Sequence, residues 1–207
     1  LKLAISHSIP FLCLDSMLCS FYHQLNVHLV NTNQFMIDAN TATKTDENRS
    51  ALCHVQFGLP VPLMHQDVIQ LCTYEEKGQY LAAEIIKMYP NHYPSSEIAL
   101  EVLTACCLKS ICAAFIGLDN RQPLSLSSWR YTENIVYACC KSSMECIEGD
   151  TSEKRLAALI SEVLRKLEAM PYLTRFSLAL FRRFVQGYFL DAKQIDIELR
   201  ALRRLKN

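Results

Sequence analysis

The residues of this chain best equipped for chemistry are its ten cysteines and six histidines, followed by arginines crowded toward the C-terminal end. Thiolates and neutral imidazoles hold a structural zinc when they come in closely spaced pairs. The cysteines stand at positions 13, 19, 53, 72, 106, 107, 112, 139, 140 and 146, and no two of them frame a C-x-x-C. Cys106-Cys107 and Cys139-Cys140 are adjacent, so on a helix the members of each pair point to different faces. Cys53, His54, His65 and Cys72 contain only one close pair. This spacing supports neither a disulfide framework nor a metal site, and no metal is expected. The thiols read as small buried hydrophobes kept reduced, which places the chain in the cytoplasm or nucleus.

No G-x-x-x-x-G-K, G-x-G-x-x-G, G-x-S-x-G or H-E-x-x-H occurs, and five scattered glycines cannot build a phosphate cradle. No cofactor is expected. One acid–base arrangement is present: Arg49-Ser-Ala-Leu-Cys-His54 has an R-x4-H spacing. In those two residues, and in being helical, the chain resembles the HEPN ribonucleases. The resemblance implies that His54 moves protons and Arg49 stabilises charge while an RNA phosphodiester is cleaved. Ser50 stands where that family carries an amide, acid or imidazole. A chain of this composition holds about one such match by chance, so Arg49 and His54 are candidates only, and a non-enzyme is expected.

Formal net charge is zero but unevenly placed. Residues 1–150 hold 9 Lys/Arg against 15 Asp/Glu, and residues 151–207 hold 12 against 6. The basic end can attract the rest of the chain or face an acidic partner. Arg182, Arg183, Arg200, Arg203, Arg204 and Lys206 supply the charge that nucleic-acid phosphates need, or else form a solvated helix face. Aromatics do not interleave with the basic residues of the last helix, which weakens stacking on a single strand there.

The element expected to organise the fold is Ser95–Leu118, whose apolar residues run nearly all round a helix. Ser95 suits its start and Gly117 its end. Glu97, Glu101 and Thr104 form one narrow polar stripe. Glu97, Glu101 and Lys109 interrupt the run, and the uncharged remainder is far short of the ~20 residues a bilayer needs, so no membrane partner is expected. Before it, Leu63–Tyr74 and Tyr80–Tyr89 read as a helix pair joined by a turn at Glu75–Gly78. Gly78-Gln-Tyr80, Ala82-Ala83, Ile85-Ile86 and Met88 resemble the second helix of αα-hairpin repeats of the pentatricopeptide and tetratricopeptide kind. The likeness covers about one unit of some fifty residues, and Gly78 and Pro90 lie closer together than the tetratricopeptide pattern has them. A groove for a protein partner segment would be lined by outward residues of Leu63–Tyr89 and of the first turn after Pro94, with Gln79, Glu84 and Lys87 as candidates.

Pro10 opens an earlier helix, with Leu14, Met17, Leu18, Phe21, Tyr22, Leu25 and Leu29 on one side. Residues 31–50 form a polar loop and 51–62 have no decided conformation. Four further helices follow: Ser128–Glu148 with Trp129 as an anchor, one from a capping box at Asp150-Thr-Ser-Glu153 with Leu156, Ile160, Val163, Leu167 and Met170 on one side, Tyr172–Tyr188 with Leu173, Phe176, Leu180, Phe184 and Tyr188 on one side, and one capped by Asp191. The whole predicts an all-α domain of seven to eight helices in an αα-hairpin stack or irregular bundle, part of a longer protein since it begins at Leu1. Its expected function is a scaffold that holds a protein partner segment in a groove between helices, with self-pairing allowed; RNA binding by the basic C-terminal helices and a HEPN-like ribonuclease using Arg49 and His54 are the alternatives.

Overall fold

In the computed structural model the chain forms two compact units, Leu1–Met64 and His65–Asn207. The structure describes Ser6, His7, Val30 and Ala51 of the first unit, and residues 65–73, 76–88, 93, 95–115 and 126–205 of the second. The helix expected from Pro10, the loop at 31–50, and Arg49 and His54 lie outside the described residues, as do Pro90, Gly117 and Lys206.

The second unit is built from seven described helices: α1 His65–Leu71, α2 Glu76–Met88, α3 Ser96–Phe115, α4 Leu126–Cys146, α5 Ser152–Lys166, α6 Pro171–Gly187 and α7 Ala192–Leu205. No strand occurs among the described residues. The fold is all-α.

Local chemistry sets the helix starts. Ser95 Oγ accepts the Ile98 amide at 3.3 Å and caps α3. Asp191 Oδ1 accepts the amides of Lys193 and Gln194 and caps α7. The start of α5 departs from expectation. Thr151, not Asp150, is the cap, accepting the Lys154 amide at 3.2 Å. The residue three beyond this cap is Lys154, so no capping box closes; Asp150 pairs with Lys154 Nζ at 3.1 Å instead. Another correction falls between α1 and α2. The expected turn at Glu75–Gly78 is already helix from Glu76 onward. A glycine inside a helix costs about 1 kcal/mol relative to alanine, and burial of Leu81, Ala82, Ile85 and Ile86 offsets it.

The packing shifts the centre from α3 to α4. Helix α4 touches α2, α3, α5 and α6, and Ile135, Val136, Ala138, Cys139, Cys140 and Ser143 on it are wholly shielded. Small side chains let four neighbours come close. Helix α3 buries Ala99, Leu103, Cys106, Cys107 and Ile111, while Glu97, Ile98, Glu101 and Lys109 face solvent. Thr104, expected on the polar stripe, is buried. Helix α3 has the length and hydropathy of a membrane-crossing segment, and it packs against α1, α4, α5 and α6.

Helices α3 and α4 run antiparallel. The Glu148 amide donates to Ser96 Oγ at 2.7 Å at one end, and Thr132 Oγ1 donates to the Ser110 carbonyl at 3.4 Å toward the other. After α4, Arg155 Nη1 donates to the Met144 carbonyl at 2.7 Å and its Nε to the Gly149 carbonyl at 2.8 Å. The first bond satisfies one of the orphan acceptors at a helix end. The approach leaves no room at Gly149 (φ +157°), where a Cβ would lie 3.0 Å from Arg155 Cγ.

Leu156, Ile160, Val163 and Leu167, stepping four, three and four along α5, are buried, but Met170, three residues further on, is exposed. It precedes Pro171, which starts a new helix in a new direction. Helix α6 buries Phe176, Leu180 and Phe184. Helix α7 packs on α5, with Ile195 buried and Leu199 and Leu202 half-buried.

Candidate functional site

The two concentrations of chemically capable residues lie in opposite settings, one inside the bundle and one on its surface. Inside, Cys72 after α1, Cys106 and Cys107 of α3 and Cys139 of α4 form a string of sulfurs. Cys106 is within hydrogen-bond reach of Cys72 and Cys139, and Cys139 of Cys107. Burial pushes the Cys139 and Cys140 thiols up, and the hydrogen bond to Cys106, followed by burial, does the same for Cys72. A raised thiol is a poor nucleophile. All seven described cysteines are free, and no group of three or more His, Cys, Asp or Glu among the described residues is placed to hold a metal ion.

On the surface, residues 171–190 contain three arginines and no carboxylate. The inner side of α6 is fixed by aromatic packing: Phe176 meets Phe115 and Trp129 edge-on at 5.1 and 4.9 Å, and Phe184 meets Tyr137 at 5.3 Å. This locks the rotation of the helix and turns Tyr172, Arg175, Arg182, Arg183 and Gln186 outward, all exposed. Arg183 Nε lies 3.3 Å from Glu133, and its guanidinium stands 5.7 Å from the Trp129 ring centre. Trp129, expected as a core anchor, is thus only half-buried and roofed by this arginine. Glu133 also accepts from the Tyr137 hydroxyl at 3.3 Å. Desolvation and that carboxylate push Tyr137 up to about 12. Among the described residues no carboxylate pairs with Arg175 or Arg182.

The C-terminal end of α6 is unusual. The Leu190 amide donates to the Val185 carbonyl at 3.1 Å and the Phe189 amide to Gln186 at 3.3 Å. This is a Schellman closure, whose penultimate position is left-handed and most often glycine. Here Phe189 occupies it at φ +54°, with its side chain 95% exposed. A non-glycine residue in that region stores about 1–2 kcal/mol. Tyr188, one turn beyond the buried Phe184, is half out, its ring stacked on Phe184 at 4.2 Å.

The residues expected to meet a protein partner lie on and beside α2. The Gln79 side chain donates to the Cys72 carbonyl at 3.2 Å and so ties the α1–α2 turn. Glu84 and Lys87 pair at 2.8 Å, with Tyr80 exposed one turn before them. Arg200, Arg203 and Arg204 are exposed on α7. Tyr172 and Phe189 were missed as site residues. The lack of any acid between 171 and 190 was legible; the left-handed Phe189 was not, since a phenylalanine two residues beyond a glycine carries no such signal.

Set against known proteins, the chain matches no family model, no curated protein and no solved structure.

Proposed function

We propose that the chain is an interaction domain, an all-helical scaffold that holds a protein partner against the outer side of α2. The observation that carries this reading is Tyr80, 52% exposed on a helix whose other side is buried, one turn before the Glu84–Lys87 pair. An aromatic beside a rim of charges is the composition that interface hot spots share. The α1–α2 hairpin answers to one αα-hairpin repeat unit under this reading. The rigid backing of Leu81, Ala82, Ile85 and Ile86 fits a preformed surface.

The test is site-specific photocrosslinking with benzoylphenylalanine at position 80 of the full chain in cells. A stoichiometric crosslinked protein, lost on Glu84→Lys or Lys87→Glu, supports the proposal. Absence of a defined crosslinked species, or one indifferent to both reversals, overturns it.

A further inference from the structure

We infer that the outer face of α6 is a binding site for single-stranded nucleic acid, distinct from the α2 surface and independent of it. Between Tyr172, 78% exposed, and Phe189, 95% exposed, lies a run of about 25 Å at 1.5 Å per residue. Arg175, Arg182 and Gln186 stand along it, all exposed. The acid that touches this helix, Glu133, is held by Arg183 and Tyr137, and Glu168 and Asp191, the acids flanking it in the chain, are exposed. Asp191 is itself engaged in capping α7. The face therefore offers cations for phosphates and, at either end, an aromatic ring free to stack.

That combination selects among anionic partners. Every nucleobase has a π-face, so ring stacking and guanidinium–phosphate contacts together suit an unpaired strand. A duplex hides its bases and gains nothing from Tyr172 or Phe189. An acidic peptide uses the arginines but lacks flat rings at each residue. A bilayer needs a continuous apolar band, and here guanidiniums separate the two aromatics. The left-handed backbone at Phe189 holds the ring away from the body of the bundle.

The full chain would be titrated into fluorescein-labelled oligouridylate of about a dozen nucleotides at low salt, read by anisotropy. Binding is expected, with a log–log salt slope of about −1.4 to −2 for two to three phosphates. Arg175→Glu with Arg182→Glu should abolish it. Phe189→Gly separates binding from folding. It should weaken binding about tenfold, the loss of one stacked base, while leaving the melting temperature unchanged or higher, because glycine relieves the left-handed strain. No binding at low salt overturns the inference, as does binding indifferent to Phe189→Gly. Equal or tighter binding of duplex RNA, polyglutamate or anionic lipid vesicles overturns the choice of partner.

Discussion

Helices α3 and α4 lie side by side and each packs against four other helices, yet they reach that enclosure with different side chains. Helix α3 leaves Ile98 and Glu101 exposed and Leu100, Ala105 and Leu108 half-buried. Helix α4 carries more polar and small residues and leaves the polar Arg130, Asn134, Lys141 and Glu145 exposed. On the shielded side of α4, Ala138, Cys139, Cys140 and Ser143 permit close approach where leucines would hold partners apart. Hydropathy measures the drive to leave water; side-chain size helps set how closely partners can come.

The contrast can be broken most sharply by truncation. Ile135→Ala in α4 should cost about 2–5 kcal/mol in urea denaturation, because the pocket around it cannot collapse. Leu108→Ala in α3, half-buried, should cost less than half as much; equal losses would show that Leu108 is as enclosed as Ile135. Enlargement comes next. Ala138→Leu should destabilise by about 1–3 kcal/mol, whereas Ala105→Leu on the open side of α3 should stay within about 0.5 kcal/mol.

Hydroxyls give a smaller and opposite pair. Thr104 Oγ1 and Ser110 Oγ are buried on α3 without a hydrogen-bond partner, whereas Thr132 of α4 donates to the Ser110 carbonyl. Thr104→Val should therefore raise stability by about 1 kcal/mol and Thr132→Val lower it by about as much. The smallest effect is alkaline. Tyr137 on α4 ionises near 10 when unfolded and at about 12 when folded. Its contribution is complete below pH 10 and is lost as pH climbs to about 12. Tyr137→Phe should flatten the decline in stability across that window, measured by urea melts at stepped pH; an unchanged decline would remove Tyr137 as its source.

Part of this was readable in the residues. Ser95, Asp191 and the Leu156, Ile160, Val163, Leu167 stripe act at short range, through a local hydrogen bond or a helical period, so their positions follow from spacing. Met170 and Tyr188 continue such stripes on paper but sit at helix ends where the chain turns, and periodicity has no meaning across a turn. Thr104 looked polar and was assigned to water; its side of α3 is nevertheless covered. Of the basic candidates, Arg182 and Arg183 were legible as charge, but their alignment with Tyr172 and Phe189 was not.

The sequence alone determined that the second unit is helical and where most of its helices begin, since both depend on contacts within a few residues. It also determined that the C-terminal quarter is basic. Only the tertiary structure decided that α4 is the hub, that four cysteines meet as one string of sulfurs, and that the outer face of α6 pairs free arginines with bare rings. Those outcomes depend on which helices pack together and on the rotation each adopts against its neighbours. Such choices are made by shape and volume across residues distant in the chain, and no local pattern encodes them.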